Sequence, residues 1–150
     1  MISQKAKYAL RALVALAESG SEPVATADLA ERESIPKKFL EQILLELKRD
    51  GIVRSRRGPS GGYALLKAPE AITFGQVLRL IDGPIAPLPC LSRIAYRRCE
   101  DCHDEATCRI RTVFAEVADS ARNVLDHTTV ADAIATTKAR QALTATLDAA

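Results

Sequence analysis

The stretch Arg56-Arg57-Gly58-Pro59-Ser60-Gly61-Gly62 constrains this chain's fold more than any other. Its glycines permit positive φ and close backbone approach, Pro59 stiffens the middle, and two arginines bring charge to it. Ile52-Val53-Arg54-Ser55 and Tyr63-Ala64-Leu65-Leu66 flank it as short strand candidates, so the segment is predicted to be a tight basic hairpin loop. Glycine-rich loops also cradle nucleotides. This one joins strand to strand and lacks the Lys-Ser/Thr ending that phosphate binding uses.

Three amphipathic segments precede the hairpin. Residues 3–18 place Ala6, Leu10, Leu13 and Ala17 at helical spacing, with Ala9, Val14 and Leu16 widening the stripe, and Gly20 ends the run. A short helix is predicted from about Thr26, as N-cap, to Arg32, with Asp28 in its first turn. After Ser34-Ile35-Pro36 a third helix runs to about Asp50, with Pro36 at its first position and Gly51 as C-cap. At ~100° per residue, Phe39, Leu40, Ile43, Leu44 and Leu47 fall within an arc of ~140°. Lys38, Gln42, Leu45 and Arg49 occupy the opposite arc.

Three helices and then a hairpin is the order of a winged helix-turn-helix. Its recognition helix lays one arc in the major groove while the other arc holds the core. Lys37 and Lys38 sit in the first turn of the third helix, where cations meet a positive partial charge. Phosphates would neutralise both lysines and the helix end together. Gln42 could present a bidentate amide to adenine. A small, stiff, basic tip carrying Arg56, Arg57, Gly58, Pro59, Ser60 and Gly61 suits a minor groove ~6 Å wide. From Lys37 to Arg57 basic residues outnumber acidic ones, and the rest of the chain reduces the net charge to +2. The DNA-contacting set is thus Lys37, Lys38, Phe39, Gln42, Arg49 and the wing residues Arg56–Gly61. A winged-helix protein that mediates only protein contacts is the alternative use of such a surface.

Beyond the hairpin, Ala68-Pro69-Glu70 turns the chain and Thr73 caps a helix to Asp82, which Gly83-Pro84 stops. Pro84, Pro87 and Pro89 keep the following stretch extended. A long helix from Arg109 to about Asp126 repeats Ile110, Val117 and Val124 every seven residues, with Val113, Phe114 and Ala121 between them. Such a seam suits pairing with a second helix. Thr128-Thr129 can cap a last helix from about Val130, and the Ala/Thr-rich residues beyond Lys138 are expected to fray.

All four cysteines, Cys90, Cys99, Cys102 and Cys108, lie in the loop before the long helix. With 47% apolar residues the chain is not disordered, and no apolar run approaches the ~18 residues that span a bilayer. The start is not that of a signal peptide, so a cytoplasmic location is expected. Thiols stay reduced there, which favours metal ligation or redox sensing over structural disulfides. Spacing alone favours zinc, because Cys99-x2-Cys102 is a common zinc knuckle. Arg93, Arg97, Arg98, Arg109 and Arg111 flank the block and are expected to lower thiol pKa values. A Cys99-Glu100-Asp101-Cys102 dithiol enzyme is the remaining alternative. It lacks the βαβ setting that chemistry needs, and no catalytic triad, HExxH or P-loop appears, so no enzyme activity or small-molecule substrate is expected.

Several stretches together resemble the IscR/NsrR/RirA-type winged-helix transcriptional regulators. They are Lys7-Tyr8-Ala9-Leu10-Arg11-Ala12-Leu13, Ile35-Pro36-Lys37-Lys38-Phe39-Leu40-Glu41-Gln42-Ile43-Leu44, and the wing Arg57-Gly58-Pro59-Ser60-Gly61-Gly62-Tyr63-Ala64-Leu65. Ile72-Thr73-Phe74-Gly75-Gln76-Val77, Asp82-Gly83-Pro84, Cys108, and Leu125-Asp126-His127-Thr128-Thr129-Val130-Ala131-Asp132 follow in the expected order.

The resemblance implies a homodimer joined through the long helix, reading a palindromic operator in double-stranded DNA. It also implies an iron–sulfur cluster, 2Fe-2S or 4Fe-4S, usually held by three Cys and one other ligand. Cys102-x5-Cys108 matches the last two cysteines of that pattern, and the first is Cys90 or Cys99. The fourth ligand is the remaining Cys, His103, Asp101 or Asp104. Four cysteines rather than three depart from the family pattern, so zinc and a cluster-free thiol switch stay open. The expected architecture is mainly α: a winged helix-turn-helix DNA-binding domain with a small β-hairpin wing (1–83), a cysteine sensor loop (84–108), a dimerisation helix and cap (109–136) and a tail (137–150).

Overall fold

The computed structural model describes residues 2–148, with side chains described as far as Arg140. Its elements run α1 (Gln4–Glu18), α2 (Thr26–Arg32), α3 (Lys37–Arg49), β1 (Val53–Arg56), β2 (Gly62–Leu65), α4 (Phe74–Asp82), α5 (Arg109–His127) and α6 (Val130–Asp148). Single 3-10 turns lie at Pro69–Ala71 and Pro89–Leu91. This is the mainly helical winged-helix order. The last helix continues to Asp148, past the expected fraying point. Residues 149 and 150 of the tail lie outside the described residues.

α1 forms because an Ala-rich stripe can approach neighbouring helices closely. Ala6, Ala9, Leu10, Ala12, Leu13, Ala15 and Leu16 are all buried. Ser3 caps it, its Oγ accepting from Ala6 N at 3.0 Å. The Ser3 N–H and hydroxyl also donate to the Asp82 carboxylate, which ties the start of α1 to the end of α4. Two starts lie one residue from expectation. Thr26 is already helical, and Ala25 is the N-cap without a side-chain cap bond. The cause is an isolated bridge: Val24 N donates to Tyr63 O at 2.8 Å and Tyr63 N to Val24 O at 2.9 Å, which fixes where the chain enters α2. Pro36 is likewise the N-cap of α3, with extended ψ of 123°. Its carbonyl accepts from Leu40 N at 2.9 Å.

Leu40, Ile43, Leu44 and Leu47 of α3 are fully buried with Leu29, Ile52, Ile72 and Val77. Gly51 closes α3 in the left-handed region, φ +69°, and Ile52 N reaches back to Leu47 O at 2.9 Å. Ile52 is therefore a core plug before β1 rather than part of it. β1 and β2 pair antiparallel from Val53↔Leu65 to Arg56↔Gly62. A Cβ on Gly62 would overlap the Val24 carbonyl, so the wing root needs glycine to lie against the entry of α2.

Thr73 caps α4, its Oγ1 accepting from Gln76 N at 3.1 Å. The corner between α5 and α6 docks beside it. Phe74 N donates to Thr128 O at 3.0 Å and Val130 N to Ile72 O at 2.9 Å. Arg79 of α4 is ion-paired with Asp126 of α5, and a Cβ on Gly75 would overlap that same carboxylate. α6 then lies along α1 and buries Val130. α5 is different. Ala118 is its one buried residue, and Ile110, Val113, Phe114, Val117 and Val124 are exposed. Among the described residues no helix is long and apolar enough to cross a membrane.

Candidate nucleic-acid interface and cysteine pocket

The outer arc of α3 and the wing form one basic surface. Lys37, Lys38, Gln42 and Arg49 are exposed, as are Arg56, Arg57, Gly58, Pro59 and Ser60. Within the tip, Gly61 N donates to Gly58 O at 2.8 Å, and Gly58 has φ +108°. Gly61 is half-buried, and a side chain there would strike the Arg56 and Gly58 carbonyls. Two side chains hold the wing to the domain: Lys48 Nζ donates to Ser55 Oγ at 2.6 Å, and Arg54 to Ser21 O at 2.9 Å. Phe39 points the other way. It is half-buried, with its ring edge-on to Tyr8 at 5.8 Å, and anchors the first turn of α3 to α1.

The cations of this domain divide by location. Lys5 pairs with Glu46 at 2.7 Å, and Arg11 and Arg32 pair with Glu33, so these charges are neutralised within the fold. Lys37, Lys38, Arg49, Arg56 and Arg57 form no ion pair with any described residue. The helix end and the wing tip therefore present uncompensated positive charge, which attracts a phosphate backbone.

The four cysteines meet around one cavity of about 440 Å³, lined also by Leu88, Asp101, His103, Asp104, Thr107, Ile110 and Arg111. Cys90 is buried in the 3-10 turn after the proline-rich stretch. Cys99 and Cys102 share a turn closed by Cys102 N to Cys99 O at 3.3 Å. Cys108 is the N-cap of α5, and its Sγ accepts from Arg111 N at 3.4 Å. The loop is tied down by Arg98, which donates to the Cys102 and His103 carbonyls at 3.0 Å, and by Tyr96, bonded to Glu105. That bond raises the Tyr96 pKa.

Two electrostatic results refine the sequence reading. Burial, and then the nearby Cys90 thiol, pushes the Cys99 thiol up rather than down. Three of the five guanidinium groups expected to lower it are engaged elsewhere: Arg98 on loop carbonyls, Arg93 on Asp119 and Arg111 beside Glu105. Asp104 is held below the usual carboxylate range by the Ala106 N–H and by Thr107. Among the described residues, no group of three or more His, Cys, Asp or Glu converges as a formed metal site. The donor chemistry nonetheless suits a thiophilic group, with four cysteines among the residues that line the cavity and a volume larger than a single ion fills. His127 lies apart from it, its Nδ1 bonded to Asn123 O at 2.7 Å.

A recognition helix, a basic wing and a cysteine-lined loop leading into a long exposed helix define a winged-helix transcriptional regulator. The Rrf2 family, described as an iron-dependent transcriptional regulator, matches residues 2–136. The chain belongs to that family, whose members regulate transcription and are not enzymes. It is 53% identical over 139 residues to an rrf2-like HTH-type transcriptional regulator of Rhodobacter capsulatus, covering 90% of this chain and 93% of that one. It is similar in structure to CymR, the global cysteine regulator of Bacillus subtilis, with TM-score 0.73, 33% identity and coverage of 88% of this chain and 94% of that one. IscR of T. potens gives TM-score 0.73 at 28% identity, covering 94% of this chain and 90% of that one.

Sequence reasoning missed the Arg79–Asp126 joint, the Ser3–Asp82 tie and the Val24–Tyr63 bridge. Only Gly75, placed early in a helix where glycine is costly, gave a signal that something approaches α4 closely.

Proposed function

We propose that this chain is a cytoplasmic, homodimeric regulator that binds a palindromic operator in double-stranded DNA and responds to the state of its cysteine pocket. Lys37, Lys38, Arg49, Arg56 and Arg57 engage phosphates, Gln42 reads a base edge, and the wing tip Gly58–Gly61 enters the minor groove. Phe39 positions the recognition helix. The domain boundaries proposed are 1–83, 84–108, 109–136 and 137–150.

The dimer forms along α5. Val113 and Val124 are 63% and 62% exposed on a helix that buries one residue of its own. Burying such a side chain is worth about 1.5–3 kcal/mol when complete, so this seam can hold two copies together. Pairing presents two recognition helices at fixed separation, and a movement of α5 changes whether both half-sites are engaged.

The single observation that carries the sensing role is that Cys90, Cys99, Cys102 and Cys108 all line one cavity at the foot of α5. These four cysteines would hold an iron–sulfur cluster, with His103, Asp101 or Asp104 as substitutes for one of them. When bound, such a cluster supplies an oxidation- and nitrosylation-sensitive tie between separate parts of the loop. Cys108, as N-cap, transmits the state of that tie to the first turn of α5. A second reading, a cluster-free thiol switch, is supported by the free Cys90 and Cys99 lining the same cavity.

Anaerobic purification with absorbance and iron, sulfide and zinc assays tests the cofactor. A brown protein with stoichiometric iron and sulfide supports the cluster. A colourless protein with stoichiometric zinc ends it in favour of zinc. A colourless, metal-free protein whose operator affinity changes on thiol oxidation establishes the switch.

A further inference from the structure

α3 carries one large apolar side chain outside its buried stripe. Leu45 is 43% exposed. Positions one helical turn away meet on the surface, and here they are Glu41, Gln42, Lys48 and Arg49, all polar or charged. No apolar neighbour on its own helix covers it. Helix propensity does not account for it either, because Lys, Gln, Glu or Arg would support the helix as well without exposing a branched hydrocarbon.

Its direction does account for it. At ~100° per residue Leu45 shares the arc of Lys38, Gln42 and Arg49, opposite the buried Leu40, Ile43, Leu44 and Leu47. Lys38 and Arg49 bracket it, and neither pairs with a described residue. An apolar spot between cations that await phosphates, beside an amide suited to adenine, matches one feature of the major groove: the C5-methyl of thymine. Leu45 lies three residues beyond Gln42, ~4.5 Å along the axis, comparable with the ~3.4 Å step between stacked bases. A protein partner would need a far larger apolar area than one leucine among charges provides.

We infer that Leu45 reads a thymine methyl next to the base contacted by Gln42, and so contributes sequence specificity. The inference rests on the DNA-reading role proposed above. The experiment selects an operator for the wild-type protein from random duplexes. Each thymine is then replaced singly by deoxyuridine, which removes only the methyl. At one position in each half-site the wild-type protein is expected to bind about fourfold more weakly, the worth of one buried methyl-sized group. Leu45→Ala, which removes the contact from both subunits, is expected to lose about 16-fold on the unmodified operator and to be indifferent to deoxyuridine at that position. A wild-type protein that tolerates every replacement overturns the inference, because that arm leaves the protein unchanged. So does a Leu45→Ala protein that stays as methyl-sensitive as wild type, or one that alters self-association and not methyl sensitivity. Selection that yields no shared sequence overturns the DNA-reading role itself, and Leu45's part with it.

Discussion

The winged domain and the arm that follows it are stabilised by different means. In the domain, Leu13, Leu16, Leu40, Ile43, Leu44, Leu47 and Ile52 are almost wholly removed from water within one chain. In the arm, α5 is as long as any other helix and buries only Ala118. The first region folds on its own apolar surface. The second leaves a row of apolar side chains that its own chain does not cover. That division suits a sensor, because a region with few internal contacts changes arrangement at low cost while the region that reads DNA stays rigid.

Leu44→Ala gives the largest expected effect. It leaves a cavity in the domain core and is expected to cost about 2–5 kcal/mol in urea unfolding followed by circular dichroism. A loss under 1 kcal/mol would mean that the domain core is not what holds this region. Phe114→Asp tests the other half. It places a charge on the α5 seam and is expected to weaken self-association by ~2 kcal/mol or more in sedimentation equilibrium, with operator affinity falling as the dimer is lost. A mutant that remains a dimer would place the interface elsewhere.

Gly75→Ala probes the joint between the regions. The added methyl meets the Asp126 carboxylate, which must shift away from Arg79. Overpacking of this kind costs about 1–3 kcal/mol, and a stability equal to wild type would show that the joint yields freely.

The smallest effect concerns the start of α6. Thr129 N and Oγ1 donate to Asp132 at 2.9 and 2.6 Å, and Asp132 N donates to Thr129 Oγ1 at 3.1 Å, a reciprocal cap. These bonds hold the Asp132 carboxyl below its ordinary 3.8. A depressed carboxylate contributes stability above the unfolded value and loses it as pH falls through the folded one. The cap's contribution is therefore expected to fade as pH drops below 3.8. Asp132→Asn should flatten that part of a stability-against-pH curve, and an unchanged curve would remove the cap from the account.

Local rules make the winged domain legible in the sequence. The apolar arc of α3, the cap Thr73, the terminators Gly51 and Gly83 and the hairpin glycines each act within a few residues of themselves. Thr26 and Pro36 were displaced by one position because the Val24–Tyr63 bridge and the extended Pro36 backbone set the helix starts. The cysteine pocket was readable as a set, from four thiols in one loop. Its electrostatics were not, because whether an arginine lowers a thiol's pKa depends on where the guanidinium points. Arg98 turns to carbonyls, and burial with the neighbouring Cys90 raises the Cys99 thiol instead.

The central claim is that the uncompensated charge on α3 and the wing exists to meet duplex phosphates. The most direct measurement is operator affinity as a function of salt for wild type and for Lys38→Glu with Arg57→Glu, by fluorescence anisotropy. Wild-type affinity should fall linearly in log–log form with added salt, and the double variant should bind at least ~100-fold more weakly, with a slope shallower by about 2 for each subunit. Equal affinities and equal slopes for the two proteins would contradict the claim.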